Sequence, residues 1–133
     1  DFGTYANVAD ARLTGFVTNP YTVDTELANP PHFDDWIPKD SRFNDGQVLV
    51  AAPGSYAANP WGLYDVHGNV AEWTRSDYAP ALSDSIYADP GTDKVVRGGS
   101  WYDRPYRCTS SYRLRYAPYH AMFNVGFRVV CEE

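Results

Sequence analysis

The chain has 133 residues, 44% hydrophobic, 16% aromatic and 21% charged, with a formal net charge of −6. The length suits one globular domain, and the aromatic content excludes a disordered tail. The acidic balance argues against a general nucleic-acid binder, and no apolar run approaches the roughly 20 residues of a membrane span.

Asp1–Asp10 is polar and lacks the basic start of a secretory leader. The missing initiator Met fits a processed chain or a piece of something longer. Charge is unevenly placed: residues 97–133 carry six Arg against three acids, and residues 1–96 carry five basic residues against fourteen acids. Arg favours fixed, bidentate contacts, so these side chains are expected to pair with acids of the first part within one domain.

In chain order, turn signals stand at Asn19-Pro20, Asn29-Pro30-Pro31 and Asn44-Asp45-Gly46. Gln47–Ala52 reads as a short strand, and Asn59-Pro60 as another turn. A helical turn is expected around Val70-Ala71-Glu72. Residues 76–93 read as a polar surface excursion. Lys94–Arg97, Thr109–Tyr116 and Gly126–Cys131 read as strands. Gly and Pro are spread throughout rather than gathered into a linker, so no domain boundary is expected. The fold class is α+β, with short antiparallel strands and much ordered loop.

Searches for chemistry mostly fail. There is no nucleophile elbow, P-loop or HExxH motif. His32, His67 and His120 lie far apart and show no metal-ligand spacing. Cys108 and Cys131 are too few for a disulfide scaffold. With the terminal strand passing near the Cys108 segment, a single bridge is expected, two buried thiols being the alternative.

Three segments are more specific: Asn59–Trp73 (NPWGLYDVHGNVAEW), Val95–Trp101 (VVRGGSW) and Asn124–Val130 (NVGFRVV). In this order and spacing the chain resembles the formylglycine-generating enzyme, or sulfatase-modifying factor, family. Tyr5-Ala6-Asn7-Val8 also fits. The resemblance implies a C-type-lectin-like fold with little regular structure and a small twisted antiparallel sheet. Residues 1–133 would be the C-terminal portion of one such domain, completed by an N-terminal half or a protein partner. Trp61, Tyr64, Trp73 and Trp101 are expected to build the core.

The resemblance also implies two structural Ca²⁺ sites. One would use the Asn7 and Asp45 side chains with backbone oxygens of Val8 and Gln47. The other would use Asp65 and Glu72 with backbone oxygens of Gly68 and Val70, oxygen ligands of the kind calcium prefers. The alternative is that Asp65 and Glu72 close turns or pair with Arg.

Enzymes of the family oxidise a substrate cysteine to formylglycine with copper held by two cysteines shortly after the GGS motif. Cu(I) selects soft thiolates, and here the stretch after Ser100 holds one Cys. Aligned from Ser100, Asp103 replaces the first family cysteine and Cys108 meets the second. Aligned back from Arg113 and Asn124, neither is matched. The family's groove Trp is Ala71. The ligand groove is therefore expected to consist of Ser100, Asp103, Cys108, Arg113 and Asn124, without copper.

The leading expectation is a non-catalytic binding or assembly module, extracytoplasmic (periplasmic or secreted). One alternative is an oxidase of sulfatase cysteines. Another is a variable ligand-binding protein of the diversity-generating-retroelement type. In that reading Tyr102, Asp103, Tyr106, Tyr112, Leu114, Tyr116, Tyr119, His120 and Phe123 would be displayed.

Overall fold

The structure is a computed structural model and describes residues 2–15, 40, 42–79 and 93–131. The turn signals at 19–20 and 29–31, and residues 80–92 of the excursion expected over 76–93, lie outside the described residues, while residues 76 and 77 belong to the strand Ala71–Asp77. Among the described residues there is no α-helix. Three short 3-10 turns, Phe2–Thr4, Ala11–Gly15 and Pro105–Cys108, accompany one four-stranded sheet.

Strand β1 is Ala71–Asp77, β2 Lys94–Arg97, β3 Leu114–Tyr116 and β4 Val125–Gly126, in the spatial order β3-β2-β1-β4. Strands β1 and β2 pair antiparallel through Glu72↔Arg97 and Trp73↔Val96, with a register shift before Asp77↔Lys94. Strands β2 and β3 are antiparallel through Val95↔Arg115. Strand β4 runs parallel to β1 through Ala71↔Val125 and Glu72↔Gly126, so the sheet is mixed rather than antiparallel.

Lys94–Arg97 is a strand as expected, and its β-branched Val95 and Val96 are buried. Four other expectations are corrected. Ala71 and Glu72 open β1 instead of forming a helical turn with Val70, because Ala71 pairs with Val125 and Glu72 lies between Arg97 and Gly126. Gln47–Ala52 is not a strand: the Leu49 carbonyl accepts from Asn7 Nδ2 at 2.8 Å, and the Ala51 N–H donates to Asn69 Oδ1 at 2.8 Å. Side chains, not a neighbouring strand, satisfy that backbone. The strand expected over 109–116 is confined to 114–116, since the chain turns at 109–111. The terminal strand ends at Gly126, and Phe127, Val129 and Val130 are exposed.

The core is small and unusually polar. Ala6, Val8, Ala9, Leu13, Ala51, Ala71, Val95, Val96 and Cys108 are buried alongside Asn7, Asp10, Asn69, Ser100, Asp103 and Asn124. The large aromatics do not fill it. Trp61 is 84% exposed and Tyr64 is also exposed, while Trp73 and Trp101 are half-buried. Trp73 meets Tyr116 edge-on at 6.2 Å across β2, and Trp101 packs with Tyr102 and Phe123 at 5.4 and 5.8 Å.

The tightest point is the crossing of residues 7 and 68–69. Asn69 adopts a left-handed conformation (φ 61°), which Asn tolerates better than most residues. Its N–H donates to the Asn7 carbonyl at 2.7 Å, and Asn7 Nδ2 donates to Asn69 Oδ1 at 3.3 Å. Gly68 has φ +77°, and a Cβ there would stand 2.2 Å from the Asn7 carbonyl oxygen. Gly62 has nearly the same φ, +76°, but open space around it. A left-handed Ala costs about 1–2 kcal/mol. Gly62→Ala should therefore lose about that much in a denaturant melt, whereas Gly68→Ala, which adds a backbone clash, should lose more than about 3 kcal/mol or fail to fold. Equal losses at the two positions would show that the crossing is not a tight one.

Candidate functional site

The expected groove residues are brought together, except one. Asn124 Nδ2 donates to Ser100 Oγ at 2.8 Å, and the Ser100 hydroxyl donates to Asp103 Oδ2 at 2.5 Å. The Gly98-Gly99 turn, with both residues at positive φ, delivers Ser100 to this spot. Ser100 is 0% and Asp103 3% exposed, so these residues form a closed polar network rather than the lining of an open groove. Asn124 Oδ1 is buried without a partner.

Arg113 is elsewhere. Its Nη1 donates to the Ala79 carbonyl at 3.3 Å, and its guanidinium lies 5.1 Å from the Tyr78 ring centre, just past the end of β1. The arginine that joins the network is Arg107, whose Nη1 donates to Asp103 Oδ1 at 3.3 Å. The sequence signal for it is the four-residue spacing from Asp103 across the Pro105–Cys108 turn. Arg107 also lies over the rings of Tyr106 and Tyr112.

Cys108 is buried beneath Gly99, where a Cβ would come within 2.5 Å of its sulfur. Burial pushes its thiol pKa up to about 12, and the nearby Asp103 charge adds to this against opposing backbone hydrogen bonds from Ser100 and Gly68. Cys131 is exposed and both cysteines are free, so the expected bridge is not formed in the structure. The physical reason is the sheet's early end: the chain past Gly126 stays on the surface, while Cys108 faces the core.

At the first expected calcium site, Asp45 Oδ2 accepts from the Val8 N–H at 2.9 Å and Oδ1 from the Gln47 N–H at 2.8 Å. The Asp45 N–H in turn donates to buried Asp10. Asn7 is buried with its Nδ2 turned to Leu49 and Asn69. Burial raises the Asp45 pKa, the backbone hydrogen bonds oppose this, and the Asp10 charge adds to it. Asp45, Val8, Gln47 and Asn7 are thus neighbours, with the Asp45 carboxylate at their centre and the Arg12 charge partly offsetting its desolvation.

At the second site Asp65, itself left-handed (φ 56°), accepts the Gly54 N–H on Oδ2 at 2.6 Å. Its Oδ1 is buried without a partner. Glu72 instead holds Arg128, with Nη2 at 2.6 Å and Nε at 3.1 and 3.2 Å from the carboxylate oxygens. Arg128 Nη2 also donates to the Tyr64 carbonyl at 2.9 Å. Tyr56, whose phenol is pushed up by burial and by Asp45, Asp10 and Asp65, buries a partnerless hydroxyl. Among the described residues no three His, Cys, Asp or Glu side chains cluster to hold a metal. A cation at either site would rely on one or two carboxylates plus amide and carbonyl oxygens. The orphaned Asp65 oxygen and the desolvated Asp45 fit such an ion. One buried thiol beside a carboxylate does not fit Cu(I).

A small curled mixed sheet with little helix, its crossings held by buried Asn, Asp and Ser side chains, defines the class of domain. Residues 4–133 match the sulfatase-modifying factor enzyme 1-like domain family, and the chain belongs to it. It is 35% identical over 98 residues to inactive C-alpha-formylglycine-generating enzyme 2 of Mus musculus, covering 69% of this chain and 29% of that protein. It is equally 35% identical over 98 residues to the formylglycine-generating enzyme of Streptomyces coelicolor, covering 63% and 30%. The chain thus spans about a third of the length of these two relatives. Among solved structures, Treponema denticola variable protein 1 matches with a TM-score of 0.53 at 30% identity, over 63% of this chain and 32% of that one. PvdO from Pseudomonas aeruginosa matches with a TM-score of 0.52 at 29% identity, over 62% and 34%. No helix among the described residues is long and apolar enough to cross a membrane.

The cysteines give the test of this geometry. In native protein at pH 8, iodoacetamide should label Cys131 and leave Cys108 unmodified, and denaturation without reductant should expose two thiols. Because the folded Cys108 pKa lies above its unfolded value of about 9, its contribution to stability is complete below pH 9 and declines as pH rises toward 12. A Cys108→Ala variant should lose that part of the alkaline decline. Rapid native labelling of Cys108 would contradict the buried assignment.

Proposed function

We propose that this chain is a non-catalytic domain of the formylglycine-generating-enzyme type, acting as a binding or assembly module within a larger protein or complex. The observation that carries the reading is the Asp103 carboxylate, closed onto Ser100 and Arg107 beside a single buried thiol. This arrangement offers neither the soft ligand pair that Cu(I) requires nor an open path to Ser100. Similarity alone does not decide, since an enzyme named inactive and one named without that qualifier match at the same identity. The likeness to a variable protein keeps the ligand-display alternative in view. The C-type-lectin-like description of the fold and an extracytoplasmic location belong to this proposal.

The assembly side of the reading is supported by the terminal segment. Arg128 ties it to the Tyr64 carbonyl and leaves Phe127, Val129 and Val130 exposed beside exposed Tyr64. A run of exposed apolar side chains of this kind fits contact with another protein segment. The occupant would be the remainder of the family domain, in the same polypeptide or as a partner.

Structural calcium is the cofactor of this reading, with Asn7, Val8, Asp45 and Gln47 around one ion and Asp65, Gly68, Val70 and Glu72 around the other. At the second site the ion would share Glu72 with Arg128. An ion that binds only the folded state adds stability by mass action. Added calcium should raise the melting temperature by several degrees and a chelator should reverse the gain. The Asp45 pKa is raised by folding, so proton and metal compete there, and the calcium effect should shrink as pH falls through it. No calcium-dependent shift at neutral pH would remove the ion from the account.

The enzymatic alternative has its own test. The chain, supplied with copper, a reductant and a sulfatase-type cysteine peptide, should leave the peptide mass unchanged. Copper-dependent conversion of the cysteine to the aldehyde would overturn the non-catalytic reading.

A further inference from the structure

A cleft of about 350 Å³ lies apart from the Ser100 network, between the 59–67 loop and the end of β2. Its size is that of a small-ligand pocket. Trp61, Leu63 and Val66 give it apolar walls, His67 forms part of its lining, and Arg97 is its cation.

Two features show that these groups are held in place. Trp61 is exposed yet sits on a locked turn. Asn59 Oδ1 accepts the N–H groups of Trp61 and Leu63, each at 3.0 Å, the Asn59 N–H donates to the Leu63 carbonyl at 2.9 Å, and Gly62 N–H donates to the Asn59 carbonyl at 2.9 Å. Arg97 is steered by Nη1, which donates to the carbonyls of Ser110 at 2.8 Å and Tyr112 at 3.3 Å. Its cross-strand neighbour is Glu72, which would normally neutralise it. Glu72 is taken by Arg128, and among the described residues no carboxylate pairs with Arg97. The pocket therefore combines an aromatic face, apolar walls and an oriented guanidinium that no carboxylate among the described residues claims.

We propose that this cleft binds a small aromatic carboxylate, its ring against Trp61 and Leu63 and its carboxylate on the Nε and Nη2 edge of Arg97. A guanidinium fork matches a carboxylate bidentately, and an offset or edge contact between aromatic rings adds to apolar burial. The proposal goes beyond the assembly reading and does not depend on it.

The test is an NMR titration of the full chain with indole-3-acetate and, separately, its uncharged analogue indole-3-acetamide, following the indole N–H signals of the four Trp. One signal, the one missing from Trp61→Ala, should shift saturably. The acid should bind at least about fivefold more tightly than the amide, the selectivity expected of a charge-assisted hydrogen-bond pair. Arg97→Gln should bring the acid down to the level of the amide and leave amide binding unchanged. The remaining indole signals report whether each variant is folded, and if Arg97→Gln is not, Arg97→Lys should still reduce the preference for the acid. Linear, unsaturated shifts, equal affinity for acid and amide, or undiminished preference in a folded Arg97 variant would each overturn the proposal.

Discussion

Everything described here hangs on the contact between Asn7 and the Gly68-Asn69 pair. At that point the N-terminal segment passes so close to the 68–69 turn that only a residue without a Cβ fits. The same two asparagines carry the contact outward. Asn7 reaches Leu49, Asn69 reaches Ala51 through both ends of its amide, and the Asn69 carbonyl accepts the Trp101 N–H at 2.8 Å. The Ala9 N–H then closes the circuit on the Asp103 carbonyl at 3.0 Å. Four stretches remote in sequence are fixed by amides that could do nothing else once buried. The polar network at Ser100 and the acids at Asp45 and Asp65 take their positions from this crossing.

A core of this kind has a different energetic character from a packed apolar one. Buried amides and carboxylates contribute little net stability, but leaving one unpaired is expensive, so the network specifies a single arrangement. The cost is visible at the margins, where Asp65, Asn124 and Tyr56 each bury an oxygen without a partner. Arg128 shows the other solution. It neutralises Glu72 from within the chain and in doing so pins the terminal segment across the 59–64 loop. Arg128 thus joins the last third of the chain to an acid of the first part, whereas Arg107 turns to Asp103 nearby.

The sequence was legible where local pattern and distant partner agree. Lys94–Arg97 is β-branched and buried, and it is a strand. The glycines of the GGS turn and of the 59–68 segment take positive φ angles, and the family follows from those segments together. Reading failed where a side chain, rather than another strand, supplies the backbone's hydrogen bonds. Gln47–Ala52 has strand composition, but Asn7 and Asn69 claim it. Ala71 and Glu72 look helical in isolation and become strand because Arg97 and Gly126 flank Glu72. Within the site, Ser100, Asp103 and Asn124 stand in one hydrogen-bonded network, but as a buried one, which motif residues alone do not reveal. Arg113, expected in the groove, lies by Tyr78 and Ala79, and Arg107 stands at Asp103 instead, since motif spacing says nothing about which arginine the 105–108 turn brings back to the carboxylate.

The turn that holds Trp61 is built from Asn59's own side chain, and the 44–47 and 100–103 turns are closed in the same manner by Asn44, Asp45 and Ser100. Beyond the small sheet, much of the order among the described residues is thus stored in hydrogen bonds that belong to no helix or ladder. A far-ultraviolet dichroism spectrum of the native domain, which registers repetitive backbone geometry, would resemble that of a largely unstructured chain. Its folded state would be registered by the near-ultraviolet bands of its edge-on aromatic pairs and by slow exchange of turn amides. A judgement of foldedness drawn from helix and strand content alone would discard an intact protein.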